Sequence, residues 1–599
     1  MLDRWQWDSR MGGRDCIKTE VKFMSKKLAV VISGAVSLGS FEAGVIYEVL
    51  EAIARHNESL SENSENDENR IEIDVITGAS AGGMTACILA QNLLYDDGSL
   101  REPYKNSLYK AWVEKVDIVP LLKVAKEDQH ISLLNKGVVE RIAAELLQDK
   151  EEPERTKHPA ASSEIQIGVA MSNLNGFNYQ VKTSGNKTFA YTRFKDQFVC
   201  SVRREENGDA VLKEKKLEDD TWEDFTDIKW SDLREAGISS GAFPLAFPMK
   251  SIFRVGSGKF SNRDSKKKND DNPDSVHKGN YLYTDGGVFE NEPVGMARAL
   301  VDQAQEKEDN VTRYYLLVKP GERKASEDPF LNQEQNLLTT AIALFGAIFQ
   351  QAQFQDWIME KIDSPELLTI TSNDSELIGD VFSAFSGFLE EKFRAYDYNI
   401  GRERAREQLK EAHRRRLLSF DPNEPDKMPA IEWKVVEVDD RGNRTLAQWE
   451  DVKSKLGELA KEIRVDAKDK VIVDDQGDQW KKGKRSQLKE LHRLMHEVKP
   501  ETRKEICEQL KERLGSLVDF INDKYLAKAD KQNPVGVNLN NLQFIRELIK
   551  SAKAAEFSDI DLDINFKLMA REAFGKPLAK IILVGVLDFW LEKNILNPP

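Results

Sequence analysis

Cysteine and histidine are both scarce in this sequence. Its 599 residues include four cysteines, Cys16, Cys87, Cys200 and Cys507, and no two form a CxxC pair. That spacing excludes a cysteine-rich zinc site and offers no disulfide framework, so a reducing, cytoplasmic setting is expected. Long apolar runs are missing too. The longest, Leu337 to Phe349 and Leu578 to Leu587, fall short of the roughly 17 to 25 residues that a membrane-spanning helix needs. Peripheral contact with a lipid surface stays open. The first of these runs, with Phe354 and Trp357 behind it, reads either as a buried core helix or as an acyl-pocket wall that can rest on a membrane. Clustered positive charge is also lacking. Lys and Arg number 87 against 102 Asp and Glu, for a net charge of −15, which argues against a nucleic-acid partner. The run Lys266, Lys267, Lys268 lies in the polar stretch Gly256 to Asn280 and reads as a surface insertion. The N-terminus has no apolar h-region, so it is not expected to be a secretory signal.

What is present describes a globular protein of more than one domain: 40% hydrophobic residues, 32% charged residues and a length too great for one ordinary core. Residues 1–23 are expected to be a disordered extension or a start-site artefact, with Met24, just ahead of the first strand, reading like a natural chain start. Leu28 to Ile32 is a β-branched apolar run, the pattern of a buried parallel strand. A small-residue turn and a helical periodicity through Phe41, Val45, Val49, Leu50 and Ile53 follow. Asn57 to Arg70 is a polar loop, Ile71 to Ile76 a second strand, and Ala81 to Leu94 an apolar helix. Strand, helix, strand, helix is the order of a parallel sheet covered on both faces. Further strands are expected at Ile165 to Met171, Tyr281 to Tyr283 and Tyr314 to Val318. Past Pro320 the pattern turns helical, broken at Asp421 to Pro429. It ends in a charged, mainly helical region with a hairpin near Val435 to Leu446. The acidic turns DDRGN and DDQGD lack the spaced acids of a calcium loop and read as ordinary turns.

The chemistry centres on Gly78-Ala79-Ser80-Ala81-Gly82, a GxSxG pentapeptide. About 0.2 such matches arise by chance in a chain this long. An apolar strand directly before it and an apolar helix directly after it supply the context that a nucleophile elbow requires. Gly78 and Gly82 allow the backbone to pass close to itself. A nucleophilic serine needs a base and an oxyanion site. The seven histidines, His56, His130, His158, His277, His413, His492 and His496, read as surface or helix positions, so a Ser-His-Asp triad is poorly supported. Asp285 lies just past a strand and ahead of Gly286 and Gly287, where its carboxylate can face a crevice and act directly on the serine.

GASAG together with TDGGVFENEP (from Thr284) resembles the patatin-like phospholipases. Ala236 to Met249 (AGISSGAFPLAFPM) and Gly168 to Gly176 (GVAMSNLNG) resemble two further family segments, all four in the family's order. Tyr396 to Leu409 resembles a helical segment of longer bacterial patatin-related proteins. The resemblance implies a three-layer α/β/α fold with a mostly parallel sheet at residues 24–320. A helical extension at 321–420 and a charged, largely α-helical region at 421–599 follow it. It implies a lipid acyl hydrolase, phospholipase A-like or lipase/esterase, with a Ser80–Asp285 dyad, an acyl-enzyme intermediate and neither metal nor organic cofactor. The family's oxyanion loop, approximately GGGxRG, maps onto Gly34, Ala35, Val36, Ser37, Leu38 and Gly39. The assigned donors are Gly34, Ala35, Val36 and Gly39. Here the sequence departs from the family, with Leu38 where Arg or Lys is usual. Ala35 and Val36 are expected to serve where the loop keeps φ negative, since β-branched residues tolerate positive φ poorly. The altered loop also motivates an alternative, a catalytically weakened patatin-fold binding or regulatory protein. The C-terminal region is a second candidate for docking a protein partner.

Overall fold

The computed structural model describes residues 25–60, 69–125, 128, 131–149, 155–182, 188–218, 221–244, 246–255, 278–305, 311–321, 367–380, 384–415, 433–439, 442–463, 494–506, 508–509 and 512. The expected N-terminal extension, the Lys266–Lys268 stretch, the apolar runs at 337–349 and 578–587, and the 421–429 break lie outside them.

Strand β1 (Ser25–Ile32) carries the β-branched run. Its side chains alternate, as a strand requires. Leu28, Val30 and Ile32 join one buried cluster with helices α1 (Gly39–Ser59) and α2 (Ala81–Leu94). Ala29 and Val31 join a second cluster with a helix at Val294–Gln305. A sheet that buries both faces under helices is a three-layer α/β/α arrangement. Each such fully buried Val, Leu or Ile stabilises the fold by roughly 1.5–3 kcal/mol.

The centre of the sheet is parallel. Strand β2 (Ile71–Gly78) pairs with β1, and β3 (Ala161–Lys182) pairs with β2. On β1's other side lies a strand at Val311–Val318, followed by one at Leu367–Ile370. The chain beyond residue 320 therefore contributes a strand to this sheet as well as helix. Between α2 and β3 lies helix α3 (Lys136–Leu146). The sheet then continues as an antiparallel ribbon not foreseen from the sequence: β4 (Thr188–Arg204), β5 (Ala210–Glu218) and β6 (Thr221–Ile228). Its strands are charge-rich, so period-two hydrophobicity is faint there. Helix α4 (Trp230–Ser240) follows, then the hairpin β7 (Lys250–Val255) and β8 (Lys278–Thr284). The later elements are α5 (Val294–Gln305), β9 (Val311–Val318), β10 (Leu367–Ile370) and α6 (Glu391–Arg414). They are followed by the antiparallel pair β11 (Lys434–Val438) and β12 (Arg444–Gln448), at the expected hairpin, and by α7 (Trp449–Glu462).

Helix α6 packs across α1 at a glycine on each. A Cβ on Gly44 would strike the Tyr398 carbonyl, and one on Gly401 would strike that of Phe41. Beside this crossing Arg402 donates to Glu48 at 2.8 Å, and neither side chain is exposed. Arg402 also donates to the Tyr104 hydroxyl at 2.7 Å. This is why α1 is buried on nearly every side, its glutamates 42, 48 and 51 included.

Candidate active site

Register brings the site together. Ile32 ends β1 and Gly78 ends β2, and the two are paired, so the chain leaves both strands at one sheet edge. The loop from Ser33 and the turn at Ala79–Ser80 are thereby neighbours. The Ala79 amide donates to the Ile32 carbonyl at 3.2 Å. Next along the sheet, Ser172 of β3 pairs with Thr284 of β8, which places Asp285 at that same edge. Carboxyl ends of adjacent parallel strands are where open α/β sheets hold their ligands.

Ser80 stands immediately before α2 with φ 53, a left-handed conformation rare for a non-glycine residue. The turn is tight enough that a Cβ on Gly82 would collide with the carbonyls of Ile32 and Ser33. The Ser80 hydroxyl donates to Asp285 Oδ2 at 2.6 Å. The Ser80 amide donates to the Ser240 hydroxyl (2.9 Å), which in turn donates to the Ala170 carbonyl (2.7 Å). Asp285 is 2% exposed. Its Oδ1 accepts the Gly287 amide at 2.7 Å, its amide donates to the Ala242 carbonyl, and its carbonyl accepts the Ser172 hydroxyl. Burial pushes the Asp285 carboxyl up to about 7, against the opposing pull of the Ser80 and Gly287 hydrogen bonds. A base with that pKa is matched to work near neutrality.

The loop after β1 differs from expectation at Val36. Its φ is 52, the region that a β-branched residue was expected to avoid. Ala35 has φ −139. The Gly34 amide is engaged, donating to the Asn291 carbonyl at 3.0 Å. Among the described residues the amides of Ala35 and Val36 have no internal acceptor. Gly39 opens α1 against the Trp112 ring, where a Cβ would fall 2.5 Å from the indole. Leu38, where the family carries a basic residue, is buried against Gly379.

Beside Ser80 is an apolar cavity of about 90 Å³, whose walls include Val36, Met84, Ile88, Trp112, Phe243 and Phe388. Cys87 also lines it, but burial pushes that thiol up to about 12, so it stays protonated. His56 lies in helix α1 as the surface-or-helix reading allows, buried there with its ring bonded to the Asn69 carbonyl. Among the described residues His158 differs from that reading: it is buried outside any helix, its Nδ1 accepting the Ala160 amide, and burial with nearby Arg101 pushes it down to about 3. Among the described residues no cluster of three His, Cys, Asp or Glu side chains could hold a metal ion, and no helix is long and apolar enough to cross a membrane.

Sequence reasoning named Ser80 and Asp285 but missed Ser172 and Ser240, which bond to them, and Asn291, which bonds to the loop at Gly34. All three lie inside the matched segments SNLNG, AGISSG and FENEP, yet a hydrophilic residue in a glycine-rich turn carries no sign of its partner.

Comparison with known proteins bears on the same residues. An uncharacterized protein, y4iI, of Sinorhizobium fredii is 22% identical over 450 residues, an alignment that takes in 63% of this chain and 63% of the relative. Residues 30–298 match the family model of the patatin-like phospholipases. The match spans the loop at Gly34, the elbow at Ser80 and the turn at Asp285. The segment 30–298, a little under half of this chain, is thus similar to the patatin-like phospholipase domain.

Proposed function

We propose that this protein hydrolyses lipid acyl esters through a Ser80–Asp285 dyad. The observation that carries the reading is the 2.6 Å hydrogen bond between a strained, elbow-held serine hydroxyl and a buried carboxylate, at the edge of an apolar cavity. The acyl chain occupies the cavity, which places the ester carbonyl at Ser80. As Oγ attacks the carbonyl carbon, its proton passes to Asp285 Oδ2. The Ala35 and Val36 amides stabilise the oxyanion, aided by the positive end of α2. The tetrahedral intermediate expels the alcohol, which takes the proton from Asp285. Water then attacks the acyl-enzyme with the same carboxylate as base, which frees the acid and restores Ser80.

Support for a lipid-surface partner comes from exposed apolar side chains close in sequence to the cavity wall. Phe243 and Phe247 line the cavity, and Met249 and, past Lys250 and Ser251, Phe253 stand 53% and 61% exposed.

Hydrolysis of phosphatidylcholine and p-nitrophenyl butyrate by wild type, Ser80→Ala and Asp285→Asn tests the reading. Turnover by wild type is expected, with losses of about 10²–10⁴ in Asp285→Asn and background rates in Ser80→Ala. Equal rates from wild type and Ser80→Ala would favour the binding-protein alternative.

A further inference from the structure

The oxyanion loop has to be held in a conformation its own residues disfavour, since Val36 sits at φ 52. We infer that Ser37 is the positioning residue that holds it, gripped by a segment that lies beyond the family-matched domain. This inference rests on the hydrolase reading above. Ser37 is fully buried. Its hydroxyl donates to the Ala384 carbonyl and accepts the Gly387 amide at 3.1 Å. Ala384 is itself at φ 65, so the contact joins the residue after one left-handed position, Val36, to another left-handed position. The approach is close: a Cβ on Gly387 would stand 2.6 Å from Ser37 Oγ.

The gripping segment is in turn fixed from α6. Arg394, 1% exposed, donates through Nη1 to the carbonyls of Gly387 and Phe388 at 3.1 Å each, and through Nε to the Val113 carbonyl at 2.9 Å. Asp397 accepts the amides of Ile378 and Gly379 at 2.9 and 2.8 Å, which ties down the chain that meets Leu38. The same segment supplies Phe385 and Phe388 to the cavity wall. Residues past 298 thus complete the site in two ways, as a wall and as a brace on the loop. Ser37 touches no reacting atom in this scheme. It acts through the backbone at Val36.

The test is a double-mutant cycle in the full chain, with p-nitrophenyl butyrate as substrate. Ser37→Ala removes the grip from the loop side, and Gly387→Ala wedges it from the far side. Each is expected to lower kcat by about tenfold or more with KM within about twofold, as for an interaction made in the transition state. The double variant is expected to lose clearly less than the product of the single losses, because both changes break one contact. Thermal melting of each variant separates this from unfolding, and loss of the fold in one variant leaves the other decisive. Values of kcat within about twofold of wild type, losses confined to KM, or losses that simply multiply would overturn the role of Ser37. A wild type as inactive as Ser80→Ala would instead overturn the hydrolase reading, and the brace with it.

Discussion

Asp285 is the residue on which pH acts. Its carboxyl ordinarily titrates at 3.8 and here is held up to about 7 by burial, with no cation among the causes of its shift. A base must be ionised, so kcat/KM is expected to climb with pH to a midpoint near 7 and level off above it. Below the midpoint the rate falls about tenfold per pH unit. A flat profile between about pH 5 and 8 would contradict the assignment of Asp285 as base. For stability the sign is opposite. The unfolded chain ionises this group near 3.8 and the folded chain only near 7, so its contribution is fully present below the first value and is lost as pH rises through the second. Melting curves of wild type and Asp285→Asn across that window are expected to diverge, with wild type losing ground. At this scale the serine and the aspartate were legible in the sequence because each stands in a glycine-flanked turn after an apolar strand. The conformation of Val36 was not legible, because the force that sets it acts on Ser37 from residues 384 and 387, hundreds of positions away.

Among the elements, α1 and α6 show how a distant segment becomes part of one core. Their glycine crossing brings the backbones close enough to bury Glu48 and Arg402 completely. A buried pair of this kind gives little net stability when intact, yet removing one partner strands the other charge. Glu48→Ala is therefore expected to cost about 3–5 kcal/mol, read as a shift in denaturant midpoint. Glu58→Ala, whose carboxylate meets Arg101 at the surface, is expected to cost no more than about 1 kcal/mol. Comparable losses from the two would contradict the burial of the α1–α6 crossing. The strands and helices of the parallel centre were readable from β-branched runs and from 3.6-residue spacing. The ribbon β4 to β6 was not, since its strands alternate charges such as Lys213, Glu214 and Lys215 instead of apolar residues. The crossing itself escaped notice because Gly44 and Gly401 look like ordinary helix-weakening glycines until the two helices are brought together.

For the whole molecule, a net charge of −15 and the exposed Met249 and Phe253, close in sequence to the cavity wall, set the terms of any meeting with lipid. Attraction to anionic head groups is not favoured by that charge, so the contact proposed here is apolar. Phe253→Asp is expected to reduce hydrolysis of phosphatidylcholine vesicles severalfold while sparing a soluble butyrate ester. Equal effects on both substrates would count against a docking role. The central claim concerns one hydroxyl. Labelling of the full chain with a fluorophosphonate, followed by peptide mapping, tests it most directly. The account predicts a single adduct on Ser80, absent from Ser80→Ala and formed much more slowly in Asp285→Asn. No adduct on the folded wild type, or an adduct on another serine that survives Ser80→Ala, would contradict it.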